Sequence, residues 1–397
     1  MKQRRYPEDH SYETLYHNME FAHSDYLQRG QYLDAKNLLE KIASKISKLG
    51  GRKAWNKTKQ LYWIVHRMGA RQQIESFGIG PQTDPSKSFN QKYAKGFHMS
   101  VVPDPITTAE MTDAAFSESG MLLVYVLHGV NICSKDEKNS CQSNVMLIWA
   151  VKQSGKLIEN LETRKSLSKY TKGAAHMLHQ VMLGIIEFAE LVRPHGLDCI
   201  ARKHCKIKGE NVSRIISKVM AGPLKKATKI QKNDMIPTNR TPTILFMPSF
   251  EIYGHVLLLF KKYTEAKEMF EESLQERMGR TLALLGLARA HSMLGTKLDN
   301  KTTKADYLYN YLRTQLKDAD EDNPVKKEAE RWLKSKDDPE TLRNHWFSPY
   351  FTPESTRHQK FTIQNIRTQG GSKTKSGHFQ KDTSYHDLNM FGINRLN

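Results

Sequence analysis

Apolar positions along this chain recur every three or four residues through most of its length, the spacing of a helix that buries one face. The pattern runs from Tyr12 to Leu49, broken by the turn "QRGQYLDA", and continues from Thr58 to Phe77. A Gly/Pro-punctuated stretch over 78–106 then carries no periodicity and predicts a long irregular loop. Helical spacing resumes at Thr107, with Thr107 or Thr108 placed to cap a helix and Glu110 to complete a capping box. It persists through "QSNVMLIWAVKQSGKLIENLETRKSLSKY" and "KGAAHMLHQVMLGIIEFAELV". Within the first of these, "VMLIWAV" leaves a buried strand open beside a helix, because a short apolar run has no readable period. Residues 337–397 are rich in Gly, Ser, Lys, Asn and Gln, and such a composition predicts a disordered, basic tail.

The C-terminal third shows an order of small and large residues beyond simple amphipathicity. In "FEIYGHVLLLFKKYTEAKEMFEESL", Phe250, Tyr253, Gly254 and Leu257 share one face of a first helix. Ala266, Phe270 and Ser273 share one face of a second, after the turn "KKYTE". Gly254 and Ala266 lack bulk where the two helices approach, and the large residues fill the space around them. A second pair follows, with Leu284, Leu287, Ala288 and His291 in the first helix and Ala305, Tyr309 and Leu312 in the second. The insertion "TKLDNK" lengthens its turn, and "KKEAERWL" supplies a closing helix. Near the N-terminus Ala22, Tyr26, Gly30, Tyr32, Ala35 and Leu39 fall in a similar order, with His23 where a small residue is usual.

This order resembles the tetratricopeptide repeat, a 34-residue helix-turn-helix unit. The resemblance covers Met247–Leu316, extends less completely to Tyr16–Ile46, and has no motif in the middle half. It implies an all-α chain, an α-solenoid of helix-turn-helix repeats wound as a superhelix. The expected division is a hairpin over 1–49, a helical region of divergent repeats over 50–246, repeats with a capping helix over 247–336, and the tail. The resemblance also implies a concave surface lined by the first helix of each unit. The residues expected there are Glu251, His255 and Leu258 in one unit and Leu285, Arg289 and Ser292 in the next. A mixed polar and apolar groove of this kind suits an extended segment or a helix of a partner protein. Some family members clamp a peptide carboxylate with Lys, Asn and Arg; Glu251 and Leu285 depart from that set and only Arg289 fits it.

Charge adds a second possible contact. With 61 Lys+Arg against 42 Asp+Glu the formal charge is +19, which attracts acidic proteins, RNA or membrane surfaces alike. It concentrates in 201–240, where eleven Lys/Arg face only Glu210 and Asp234. A helix over Val212–Met220 would set Arg214 and Lys218 on one side. No aromatic residue lies in this block to stack on a base, which favours an acidic protein partner over a nucleic acid.

Catalytic motifs do not appear: no glycine-rich phosphate loop, nucleophile elbow or HExxH is present, and no cofactor or metal is expected. His176 and His179 share a helix face, and His195, Cys199, His204 and Cys205 cluster, but not at the spacing of a zinc module. The carboxylates of "DADED", Asp318 to Asp322, read as a solvated loop. The longest apolar run, Met121 to Leu127, is too short to span a membrane. Four cysteines in this length do not make a disulfide framework, and the charged N-terminus is no signal peptide, so a cytoplasmic protein is expected, or a secreted one if a leader is missing. The expected function is a non-enzymatic, protein-binding scaffold. The alternatives are an enzyme with its site in 77–200, and RNA or acidic-partner binding through 201–240.

Overall fold

A computed structural model of the chain describes residues 8–48, 51–75, 108–133, 144–192, 222–235, 248–299, 302–335 and 339. The expected loop at 78–106, the helix over Val212–Met220, the cluster from His195 to Cys205 and nearly all of the 337–397 tail lie outside these residues. Those described form an all-helical structure whose only β-pairing is a single bridge, from Lys297 in the "TKLDNK" insertion to Thr303 just after it.

Twelve helices are described: α1 (Glu8–Gln28), α2 (Tyr32–Lys48), α3 (Gly51–Glu75), α4 (Thr108–Cys133), α5 (Val145–Thr163), α6 (Lys169–Val192), α7 (Pro223–Asp234), α8 (Ser249–Leu259), α9 (Tyr263–Glu276), α10 (Thr281–Leu294), α11 (Lys304–Gln315) and α12 (Pro324–Lys334). "VMLIWAV" opens α5, so helix prevails over strand there; Leu147 and Ala150 face the core while Ile148 stays exposed, a three-residue spacing no strand would give. No described helix is long and apolar enough to cross a membrane.

Packing follows the chain. The helices α1, α2 and α3 form one group, α3 continues onto α4, and α4 packs with α5 and α6. Then α6 packs on α7, α7 on α8, and each helix from α8 to α12 on the next. A single apolar cluster runs from Ala70 and Ile74 of α3 through Leu123, Met177, Leu178, Ile185 and Leu224 to Phe270, Leu285, Tyr309 and Ala329. The group α1–α3 adds its own cores, Leu39, Ile42, Ile64 and Met68 in one and Leu27, Tyr32 and Ala35 in another.

Three helices share one burial register. Ala35, Leu39 and Ile42 in α2, Ala266, Phe270 and Ser273 in α9, and Ala305, Tyr309 and Leu312 in α11 are each buried at i, i+4 and i+7. These spacings place the three residues on one side of a helix. Their counterparts α8 and α10 are buried almost all round, as inner helices are. Phe270 is the wedge between them. A β-carbon built on Gly254 would lie 2.8 Å from its ring, and one on Gly286 would lie 2.1 Å from it, so neither position admits a side chain. The expected small residue Gly254 is therefore in place, and Gly286 joins it. At the N-terminus the expected order is only partly met: Ala22 is exposed, while His23 is fully buried.

Candidate functional site

The α1–α2 turn reaches the turns that lead into α10 and α12, 253 positions away at Gln28–Thr281 and 288 at Tyr32–Asp320. Gly30 takes the left-handed conformation, φ 70°, and a β-carbon on it would meet the Asn323 amide at 2.2 Å. Its carbonyl accepts from the Asp320 N–H at 3.1 Å. The Asp320 carboxylate in turn accepts from the backbone N–H of Tyr32 at 3.0 Å and of Leu33 at 3.3 Å. Asn323 caps α12, its Oδ1 accepting from Val325 and Lys326. The Gln28 Oε1 accepts from the Thr281 N–H at 2.9 Å, satisfying a donor at the start of α10. Gln315 donates from Nε2 to the carbonyls of Gln28, at 3.0 Å, and Gly279, at 2.9 Å.

Behind this turn lies a buried charged network. The inner face of α1 is polar, with Glu20, His23 and Ser24 buried at helical spacing. Arg67, Arg71 and Glu75 stand four residues apart on α3. Glu20 takes a two-pronged pair from Arg67, at 3.1 and 2.9 Å. Arg71 lies 3.7 Å from Glu20 and 3.9 Å from Glu75. Glu75 accepts from Gln28 and lies 3.5 Å from Arg280, which makes its own two-pronged pair with Glu251 at 2.7 and 2.9 Å. Arg280 thus joins a carboxylate of α8 to one of α3.

Arg277 completes the set. It donates to Ser24 Oγ at 2.6 Å, and its Nη1 has no hydrogen-bond partner among the described residues. Burial, then the neighbouring Arg280 charge, pulls it down to about 10, still charged at neutral pH. Among the described residues the guanidiniums of Arg67, Arg71, Arg277 and Arg280 thus gather beside the carboxylates of Glu20, Glu75 and Glu251, with Glu276 also acting on Arg280. Buried charges persist only when paired and hydrogen-bonded.

The histidines here are neutral. Burial, reinforced by Arg71, holds His23 down at about 3, and its Nε2 bonds the Gln72 side-chain Oε1 at 3.0 Å. Burial, with Arg289 beside it, holds His255 at about 3 as well, its Nε2–H donating to the Leu282 carbonyl at 3.1 Å. Glu276 moves the other way. Burial pushes it up to about 7 while Gln231 donates to it, and the Gln231 Oε1 accepts from the N–H and Oγ of Ser249.

The six residues expected to line an open groove are all buried in this structure. Glu251 holds Arg280, and His255 is bonded to α10. Arg289 pairs with Glu328 of α12, to which the Tyr309 hydroxyl also donates. Leu258 and Leu285 are in the apolar cluster, and the Ser292 hydroxyl donates to the Arg289 carbonyl. The expectation of a solvent-lined surface at these positions is corrected: as α8, α10 and α12 stand side by side, the positions one turn off the packing face meet the next inner helix. The packing residues Phe250, Tyr253, Leu257, Ala266, Phe270, Ser273, Ala35 and Ala305 are all buried as expected.

The other candidates separate. His176 bonds Glu162 at 2.9 Å and His179 bonds Ser154 at 3.1 Å, each to a different residue of α5. Among the described residues no group of three His, Cys, Asp or Glu could hold a metal. Asp320, expected to be solvated with the rest of "DADED", is instead the anchor of the α1–α2 turn. The residues missed, Arg67, Arg71, Glu75 and Arg280, left one signal: charges at four-residue spacing inside "WIVHRMGARQQIE", a stretch otherwise apolar enough to be buried. Compared with known proteins, the chain matches no family model, no curated protein and no solved structure, so its likeness to any repeat rests on its own residues.

Proposed function

We propose that this protein is a non-enzymatic scaffold of the tetratricopeptide type, which binds other proteins through its C-terminal helices, α8 and α10 of which are covered in this structure. The observation that carries the reading is Phe270, whose ring fills the space left by Gly254 in its own unit and by Gly286 in the next. A ring shared by consecutive units is what a stacked repeat needs, since each unit alone cannot bury its apolar face. The common burial register of α2, α9 and α11 supports it further.

The test is hydrogen-exchange mapping of the purified full chain with and without the protein it retains from its native extract. Protection gained at α8, α10 or α12 supports the reading; protection gained only elsewhere, or no protein retained, overturns it.

One observation favours a second reading, binding of an acidic partner or nucleic acid through 201–240. Lys225, Lys226 and Lys229 are exposed together on α7, opposite the buried Leu224 and Ala227. Retention on heparin that survives high salt, lost when the three are changed to glutamine, would support it.

A further inference from the structure

The apolar core and the polar network divide the molecule differently. Apolar packing is continuous from α3 through α4, α6 and α7 to α12. Where α1–α2 and the end of α3 meet the turns before α10 and α12, the contacts are instead hydrogen bonds and ion pairs: Ser24–Arg277, Gln28–Thr281, Gly30–Asp320, the Tyr32 and Leu33 amides with Asp320, and, from α3, Glu75–Arg280. The helix pairs with substantial contact include none that joins α1, α2 or α3 to α8–α12. A permanent interface resembles a core cut in half, whereas polar interfaces between parts of a chain separate more readily. Helical arrays flex along their length because each unit touches only its neighbours. When α1, α2 and α3 move together, opening at this seam leaves their own clusters intact and bends the molecule where α3 packs on α4.

The residues on the C-terminal side are also suited to being uncovered. Arg280 keeps its two-pronged pair with Glu251 when Glu75 leaves, because the Glu75 contact at 3.5 Å is the longer one. Arg277 loses a hydroxyl, and among the described residues it hydrogen-bonds no carboxylate, Glu75 and Glu251 acting on it at longer range. An opened seam thus presents two guanidiniums three residues apart, one of them with no hydrogen bond to a carboxylate among the described residues.

We propose that this seam is a gate, at which the N-terminal group α1–α3, led by its hairpin, swings from the C-terminal helices and an acidic segment of a partner protein takes its place, its carboxylates going to Arg277 and Arg280. This rests on the scaffold reading and names the partner's chemistry. The hairpin is then the resident occupant of the partner's site, and binding competes with closure.

The test begins with Asp320→Ala in the full chain, a change in a turn that removes the one carboxylate oxygen accepting from both Tyr32 and Leu33. Hydrogen exchange at the Tyr32, Leu33 and Thr281 amides should accelerate by about tenfold or more, with α8 and α9 unchanged. Unchanged exchange in the seam, or faster exchange throughout, shows the hairpin to be an integral part of the fold and overturns the gate. The second measurement is anisotropy of a labelled helical peptide with glutamate at every fourth position, beside the same peptide with glutamine. Asp320→Ala should bind the glutamate peptide about tenfold more tightly than the unaltered protein and the glutamine peptide no better. Adding Arg277→Gln should abolish the gain. A seam that opens without that gain refutes the acidic partner while leaving the scaffold reading standing; equal gain for both peptides refutes the assignment to Arg277 and Arg280.

Discussion

The ring of Phe270 occupies the place that a side chain on Gly286 would need, its Cζ 2.1 Å from where that β-carbon would stand. One aromatic residue on α9 thereby sets the identity of a glycine sixteen positions later on α10 and of Gly254 on α8. Gly286→Val should destabilise the fold by about 1–3 kcal/mol through overpacking. Phe270→Ala should cost about 3–5 kcal/mol through a cavity. The double variant should lose markedly less than the sum, as neighbours sharing one space do. Denaturant unfolding of the four proteins measures the coupling, and strict additivity would mean the ring and the glycine do not share that space.

Arg289, Glu328 and Tyr309 form a closed polar set between α10, α12 and α11. Arg289→Met alone leaves the Glu328 carboxylate buried beside a hydroxyl and should cost about 3–5 kcal/mol. Arg289→Met with Glu328→Leu removes both charges and should recover most of that loss. Thermal unfolding distinguishes the two; a double variant no more stable than the single would show that packing, not the uncompensated charge, dominates.

His23 and His255 carry folded values near 3 against about 6.5 when unfolded, so the unfolded chain binds more protons between these limits. Each contributes stability that is fully present above pH 6.5 and lost as pH falls toward 3. In its window each should contribute about 1.4 kcal/mol per pH unit. Between pH 6.5 and 5, His255→Gln should flatten the dependence by about one proton. An unaltered slope, from melting temperatures across that range, would mean His255 is accessible to protons in the folded state.

Glu276 has the opposite sign. Its folded value is raised to about 7, so its contribution is present below about 4.5 and declines as pH climbs through 7. Glu276→Gln keeps the volume and should remove that decline, making the variant relatively more stable at pH 8 than at pH 5. The same melting series reads it, and a variant whose disadvantage grows with pH would reverse the assignment.

The capping box at α11 offers the mildest test. The Thr303 hydroxyl accepts from the Asp306 N–H while the Asp306 carboxylate accepts from the Thr303 N–H. Thr303→Ala should cost about 1 kcal/mol, read as a small drop in melting temperature with no change in the array.

Helix type and the packing faces of α8–α12 were legible from the sequence because apolar periodicity and the small-large order both report burial. Gly254, Ala266 and Phe270 stand where that order places them. Gly286 escaped because its constraint comes from α9 rather than from its own helix. The polar seam was hidden for a different reason. On α1 the buried positions from residue 18 onward are Glu20, His23 and Ser24 with Leu27 the single apolar one, while Phe21 is exposed, so hydrophobic patterning misses most of the buried side. The groove positions Glu251, His255 and Arg289 were assigned to a partner because a single helix pair cannot show that its inner helix will meet the next. Asp320 looked like one carboxylate among several; only contact with residues almost the whole chain away sets it apart.

The Asp320 side chain meets the Tyr32 amide across 288 positions of sequence. A ribosome exposes the chain from its N-terminus, so the hairpin leaves long before its partner turns exist. Its α1 face of Glu20, His23 and Ser24 then has only α3 to pair with, and Arg280 is synthesised some two hundred residues after Glu75. The closure therefore forms only once the chain has been made as far as the turn before α12. A truncated chain ending with α11 would lack Asp320 and Asn323 altogether. The seam so reports, in one small set of hydrogen bonds, whether the chain has been made that far and the turn correctly placed.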